Sequence, residues 1–226
     1  MANSPKIVEL RKLLAGRFPE ACQEPRSSTS PLLPPVPDLD KLELPRGAIS
    51  ELVVSKPHSG GATLLLHLMH HAWKAGQFCA IIDAKDSFDP TPLPTSLQRK
   101  LLWVRTHHAV DAMKATDLLL RDGNIPFIFL DLGLNPLQEI RRLSSSEWYR
   151  FQTLVHHTNT VFLALTPHPI VSSARLRIQL NSQLSLADLD QSTESLQSGL
   201  KIQITRQRLV SSWQEEGDFN QEEATG

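Results

Sequence analysis

Cysteine is scarce. The 226 residues contain two, Cys22 and Cys79, far apart and outside any C-x-x-C pair. A disulfide framework is therefore excluded, and a reducing, cytoplasmic setting is the expectation. Cys79 lies in an apolar stretch and reads as a small buried hydrophobe. No apolar run is long enough to span a bilayer, and the first residues lack the apolar stretch of a signal peptide, so no membrane contact is expected. Charge of one sign is also missing. The net charge is −1, so no global field draws the chain to nucleic acid, and any DNA contact is expected to be indirect or weak. Trp103, Trp148 and Trp213 are scattered rather than interleaved with basic residues, as strand-stacking platforms require. There are nine histidines but no H-E-x-x-H. His67, His70 and His71 have helical spacing with no carboxylate beside them, and they read as surface or satisfied side chains rather than metal ligands. His107–His108 and His156–His157 are adjacent pairs that cannot share a helix face, and are expected at element ends. No internal repeat is visible.

At 40% hydrophobic the chain can bury one sizeable core. Four segments are legible. Residues 1–23 contain a basic amphipathic helix in which Ile7, Leu10, Leu14 and Phe18 share a face, a candidate docking element for a partner. Residues 24–41 form a proline-rich linker, denied helix and sheet hydrogen bonds. Residues 42–210 form the core domain. Residues 211–226 carry Glu215, Glu216, Asp218, Glu222 and Glu223 with no base, a composition expected to remain disordered.

Within the core, strands are predicted at 50–54, 78–83, 101–104, 127–130 and 160–165, and helices at 62–74, 109–121 and 145–157. Gly123 stops the second helix, and Ser144 with Glu147 opens the third as a capping box. Strands alternating with helices imply a mostly parallel sheet covered on both faces. Residues 175–180 and 200–205 alternate apolar and polar side chains, as half-buried strands do, and imply antiparallel strands at one edge. Arg175, Arg177, Lys201, Arg206 and Arg208 would give that edge a basic character. Ordinary solvated edge charge is the plainer reading of them.

The most informative stretch is the turn between the first strand and the first helix. It reads Ser55-Lys56-Pro57-His58-Ser59-Gly60-Gly61-Ala62-Thr63. Strand, turn, helix, strand is the order of a phosphate-binding loop domain. A working loop reads G-x-x-x-x-G-K-[ST], in which backbone amides cradle phosphates, the Lys reaches the terminal phosphates and the hydroxyl holds magnesium. Here Gly60 keeps the second glycine, Gly61 stands at the lysine position and Ala62 at the hydroxyl position.

The order of elements resembles the RecA-type ATPase core, over roughly residues 42–210. LPRGAISEL (44–52) is similar to the family's approach into its first core strand. KAGQFCAIIDAKDSFDP (74–90) resembles the segment after the phosphate loop helix, which in RecA carries Asp-Ala-Glu and then Asp-Pro. IPFIFLD (125–131) looks like the Walker B strand, with Asp131 as its terminal acid, and GLKIQITRQR (199–208) resembles the late strand with a basic end. The short connection between Asp131 and Ser144 leaves little room for the DNA-gripping loops of RecA.

The resemblance implies an ATPase fold stripped of its catalytic groups. The lysine is Gly61, the magnesium hydroxyl is Ala62, and the acid that would position the attacking water is Lys85. No cofactor is expected on this reading. Residues 60–63 could still hold an anion at a helix N-terminus, with Lys56 or Lys85 replacing the missing charge. The subgroups implied are ImuA-like accessory proteins of induced mutagenesis and, as an alternative, SulA-type division inhibitors. A RecA-like ATPase with a displaced lysine is a third reading. Expected partners are RecA, a Y-family-like polymerase subunit or an error-prone polymerase.

Overall fold

The structure is a computed structural model describing residues 42–56, 59–185, 188 and 191–208. The expected helix at 1–23, the linker and the tail lie outside these residues. Seven strands form a single sheet: β1 (Ala48–Val53), β2 (Cys79–Asp83), β3 (Leu101–Arg105), β4 (Phe127–Asp131), β5 (Val161–Thr166), β6 (Leu176–Leu180) and β7 (Ile202–Gln207). Their order is β3-β2-β4-β5-β1-β6-β7. Every pairing is parallel except β6 with β7. The antiparallel pairing thus falls at one edge, as the sequence implies, although β6 itself still runs parallel to β1. This α/β architecture is consistent with a RecA-like core.

Side chains alternate across the sheet with a period of two. Leu52, Ile81, Phe129, Leu163 and Ile178 point to one face, against α1 (Gly61–Lys74) through Leu64, Leu65, Leu68 and Met69. Ile49, Ala80, Ile82, Leu130 and Phe162 point to the other, against α3 (Ala109–Asp122) and α5 (Ser145–Thr158) through Met113, Trp148 and Phe151. The inner strands are buried on both faces and therefore read as near-continuous apolar runs. Gly123 ends α3 in a left-handed conformation, and Ser144 with Glu147 forms the capping box of α5. Cys79 is buried, which pushes its thiol up to about 12.

Three short helices escape the sequence reading: α2 (Thr95–Gln98), α4 (Leu137–Ile140) and α6 (Thr193–Ser198). The first two span one turn and the third fewer than two, too few residues to show a helical period.

Candidate functional site

The chain leaves β1 at the carboxyl edge of the sheet, where ligands of open α/β folds bind. Gly60 caps α1 with φ 88°, a left-handed conformation that glycine adopts freely. A Cβ at Gly60 would fall 2.2 Å from Leu200 Cδ2, and one at Gly61 would fall 3.1 and 3.3 Å from the two methyls of Val54. Both positions are thus closely packed. The first helical bond runs from Leu64 N–H to the Gly60 carbonyl, at 2.9 Å. By helix geometry the amides before it are free for other partners.

A cavity of about 490 Å³ opens beside this turn. Ser55, Lys56, Gly60, Gly61, Ala62 and Thr63 line it, with Asp131 across from them. The remainder of the wall is largely apolar, and Phe88, Leu134, Leu165 and Leu184 are its bulk. Ser59 also lines it. Its hydroxyl is buried and has no hydrogen-bond partner among the described residues. None of the apolar wall was legible in sequence, because these side chains come from three separate connections and the end of β5.

The two acids at the strand ends are register partners, Asp83 on β2 and Asp131 on β4. Asp83 builds the following turn: its carboxylate accepts from Phe88 N–H at 2.7 Å, Lys85 N–H at 3.2 Å and Ser87 Oγ at 3.4 Å. Asp131 accepts from Gly133 N–H at 2.9 Å, so it caps the turn after β4. Burial pushes the Asp131 carboxyl up to about 6. The Gly133 N–H draws it back down, and nearby Asp83 adds to the rise.

Lys85 does not line the cavity. Its Nζ donates to Glu139 Oε1 at 3.2 Å and to the His107 carbonyl at 3.1 Å. The expectation that Lys85 could supply the loop's missing charge is therefore corrected: the ammonium is held by Glu139, and Lys56 alone of the two faces the cavity. Glu139 also accepts from Asn135 Nδ2 at 2.8 Å and from Ala109 N–H, at the start of α3, at 3.1 Å. These bonds, with Lys85, hold its carboxyl down at about 2.

The expected basic edge is also corrected, because its five residues do not form one patch. Arg177 Nε pairs with Oε2 of Glu51, a fully buried carboxylate in β1, and its Nη2 donates to the Val171 carbonyl at 2.9 Å. Glu51 Oε1 accepts from Ile170 N–H at 2.7 Å, Val171 N–H at 3.1 Å and Thr166 Oγ1 at 3.0 Å. Arg206 Nη1 donates to the Ser172 carbonyl at 3.0 Å. Lys201 sits beside Asn181, at the opposite end of the β6–β7 pair from Arg175 and Arg208. A carboxylate inside an apolar strand needs a buried partner, and that was the available signal for Glu51.

His67, His70 and His71 all lie on α1, where the His67 and His71 rings are 4.7 Å apart and His67 Nδ1 is 3.2 Å from Gln197 Oε1. His108 caps α3, and His156 and His157 end α5. Among the described residues no group of three or more His, Cys, Asp or Glu side chains is arranged to hold a metal ion. No described helix is long and apolar enough to cross a membrane.

The chain is similar to RecA. It is 34% identical to RecA of Rickettsia canadensis (strain McKiel) over 102 residues, 43% of this chain and 29% of that protein. With RecA of Rickettsia massiliae (strain Mtu5) it shares 31% identity over 139 residues, 53% of this chain and 40% of the relative. RecA of Brucella anthropi is 35% identical over 102 residues, 43% of this chain and 28% of that protein. The chain thus spans less than half the length of the RecA proteins it matches. No family model matches it.

Relative to the working loop, the turn beside the cavity offers helix amides, the Ser59 and Thr63 hydroxyls and Lys56. It offers no ammonium at Gly61 and no hydroxyl at Ala62. Asp131, with a raised carboxyl, lines the same cavity.

Proposed function

We propose that this chain is a RecA-like accessory protein of the bacterial DNA-damage (SOS) response, working through protein contacts in translesion synthesis and induced mutagenesis, as ImuA-like proteins do. The carrying observation is the triplet Gly61, Ala62 and Lys85, together with the ion pair that commits Lys85 to Glu139. Phosphoryl transfer depends on positioning and charge stabilisation. A cavity with an apolar wall and neither of those loop groups is a poor fit for a magnesium nucleotide, so we assign no cofactor. Leu134, 65% exposed, lines the cavity, and Leu137, 46% exposed, opens α4 three residues on; their exposure supports a contact role. The segment bearing Ile7, Leu10, Leu14 and Phe18, which lies outside the described residues, is the proposed docking element. RecA or a Y-family-like or error-prone polymerase subunit is the proposed partner.

The test is nucleotide-free co-precipitation of the purified chain with RecA and with the translesion polymerase subunits, beside a magnesium-dependent ATPase assay. Association with one of them, and no turnover above the protein-free control, is the expected outcome. Turnover of about 0.1 per second or more would overturn the reading. In that event Lys56→Ala tests whether Lys56 is the displaced lysine. The segment GAISEL (47–52) also resembles SulA, and filamentous cells on overproduction would favour the division-inhibitor alternative.

A further inference from the structure

A second cavity, of about 700 Å³, lies at the opposite end of the sheet from the turn after β1, where β1, β4, β5 and β6 begin. Leu44, Phe127 and Leu176 give it an apolar lining, and Arg46, Arg175 and Arg208 line it with them. Arg46 and Arg208 are exposed, and Arg175 is half-buried. Among the described residues no carboxylate forms an ion pair with any of these three guanidinium groups. Arginines elsewhere differ: Arg105, Arg121, Arg150 and Arg177 each hold an acid. Neighbouring Arg206 feels the excess. Its guanidinium is lowered by burial first, and then by Arg177 and Arg208. Glu43 is the one carboxylate in the described lining.

We propose that this hollow is a docking site for a partner protein, and that it takes an acidic segment bearing one large apolar side chain. The three guanidinium groups supply forked donors that match carboxylates. The apolar lining supplies the desolvated pocket in which an anchoring side chain contributes most. The volume is that of a site able to enclose such a group. An anion brought among like charges relieves their repulsion as well as pairing with each of them. Charge alone would also suit a nucleic acid, but a single strand binds by stacking on successive open rings. Phe127 is the one phenyl ring of the described lining, and Arg46 already lies over it at 5.3 Å. This inference does not rest on the proposed function, since neither Gly61 nor Lys85 lines this cavity.

The probe is a dye-labelled synthetic peptide, Asp-Glu-Trp-Leu-Asp-Glu, added to the full chain and read by fluorescence anisotropy. Saturable binding is expected at about 50 mM salt, weakening about tenfold or more at about 500 mM. Arg46→Gln with Arg208→Gln should weaken it about tenfold or more while far-UV circular dichroism stays unchanged. Should that variant not fold, two altered peptides read the same contacts on the unaltered chain. One carries Asn and Gln in place of its acids, and the other alanine in place of Trp and Leu. Each should bind about tenfold or more weakly than the parent peptide. Absence of saturable binding overturns the proposal. So does binding that survives in the folded variant, or an altered peptide that binds as tightly as the parent. An oligothymidylate that displaces the peptide, and itself loses affinity in the variant, would assign the hollow to nucleic acid. A dimer in sedimentation that the peptide dissociates would assign it to a second copy. Either outcome also overturns the proposal.

Discussion

Glu51 faces Arg177, and Glu139 faces Lys85 with the His108 ring 3.7 Å away, both near the loop end of the sheet, yet their surroundings differ. Glu51 is fully buried, and Arg177 beside it is 14% exposed. Three further donors, from Thr166, Ile170 and Val171, converge on Oε1, while Oε2 takes Arg177. Glu139 and Lys85 are 25% and 28% exposed, and water shares the work of solvating them. The first pair ties β1 to β6 and to the connection after β5. The second joins the turn after β2 to α4 and the start of α3, at a position where the RecA-type pattern has an acid. Desolvated charges depend on each other far more than solvated ones do, so equivalent truncations at the two pairs should separate widely.

The widest separation is expected from Arg177→Met. It keeps much of the side-chain volume but leaves the Glu51 carboxylate buried without its cation, a loss of about 3–5 kcal/mol in unfolding free energy. Chemical denaturation of the variant beside Glu51→Gln with Arg177→Met checks this. The double variant should recover part of the loss, because it buries no charge. A single variant within about 1 kcal/mol of wild type would mean that water reaches Glu51.

This contrast also marks how far the sequence could be read. The sheet was legible because its strands are buried on both faces and its helices show clear periods: Leu64, Leu68 and Ala72 on α1, and Trp148, Phe151 and Val155 on α5. The loop was legible because departures from a spaced motif, Gly61 and Ala62, are visible without coordinates. The partners of charged residues were not. Arg177 and Glu51 are 126 positions apart, and Lys85 and Glu139 are 54 apart; no local pattern announces either meeting. Grouping five basic residues by their nearness in two strands overlooked that Lys201 falls at the far end of the β6–β7 pair from Arg175 and Arg208, and that one of them already served a buried acid.

Asp131 lies between the two cases. Burial raises its carboxyl to about 6, and among the described residues no cation pairs with it to lower it. The native state then keeps a proton that the unfolded chain releases near pH 4. Stability should fall as pH rises from about 4 to about 6, and the penalty should persist above that window. Glu139 has the opposite sign: its contribution is present above the ordinary glutamate range and is lost as pH falls toward about 2. Asp131→Asn should abolish the decline between about pH 4 and 6 and stabilise the protein at neutral pH, by on the order of 2 kcal/mol after allowance for its contact with water. Denaturation midpoints at about pH 5 and 7.5 provide the measurement. An unchanged slope in the variant would show that another group titrates there.

The smallest effect is expected at Lys85. Lys85→Ala removes a partly exposed pair and should cost less than about 1 kcal/mol, an effect that rising salt erodes further. Lys85→Glu is the sharper experiment, because it returns an acid to the position that has one in the RecA-type pattern. The new carboxylate would face Glu139 at the site of the former ion pair. It should destabilise the protein more than alanine does and raise the pH at which Glu139 takes up a proton. It should not create hydrolysis, because Gly61 still provides no ammonium and Ala62 no hydroxyl. Magnesium-dependent turnover in Lys85→Glu alone would show that one residue holds the cavity inactive, and the comparison between the two pairs would then be one between structure and regulation.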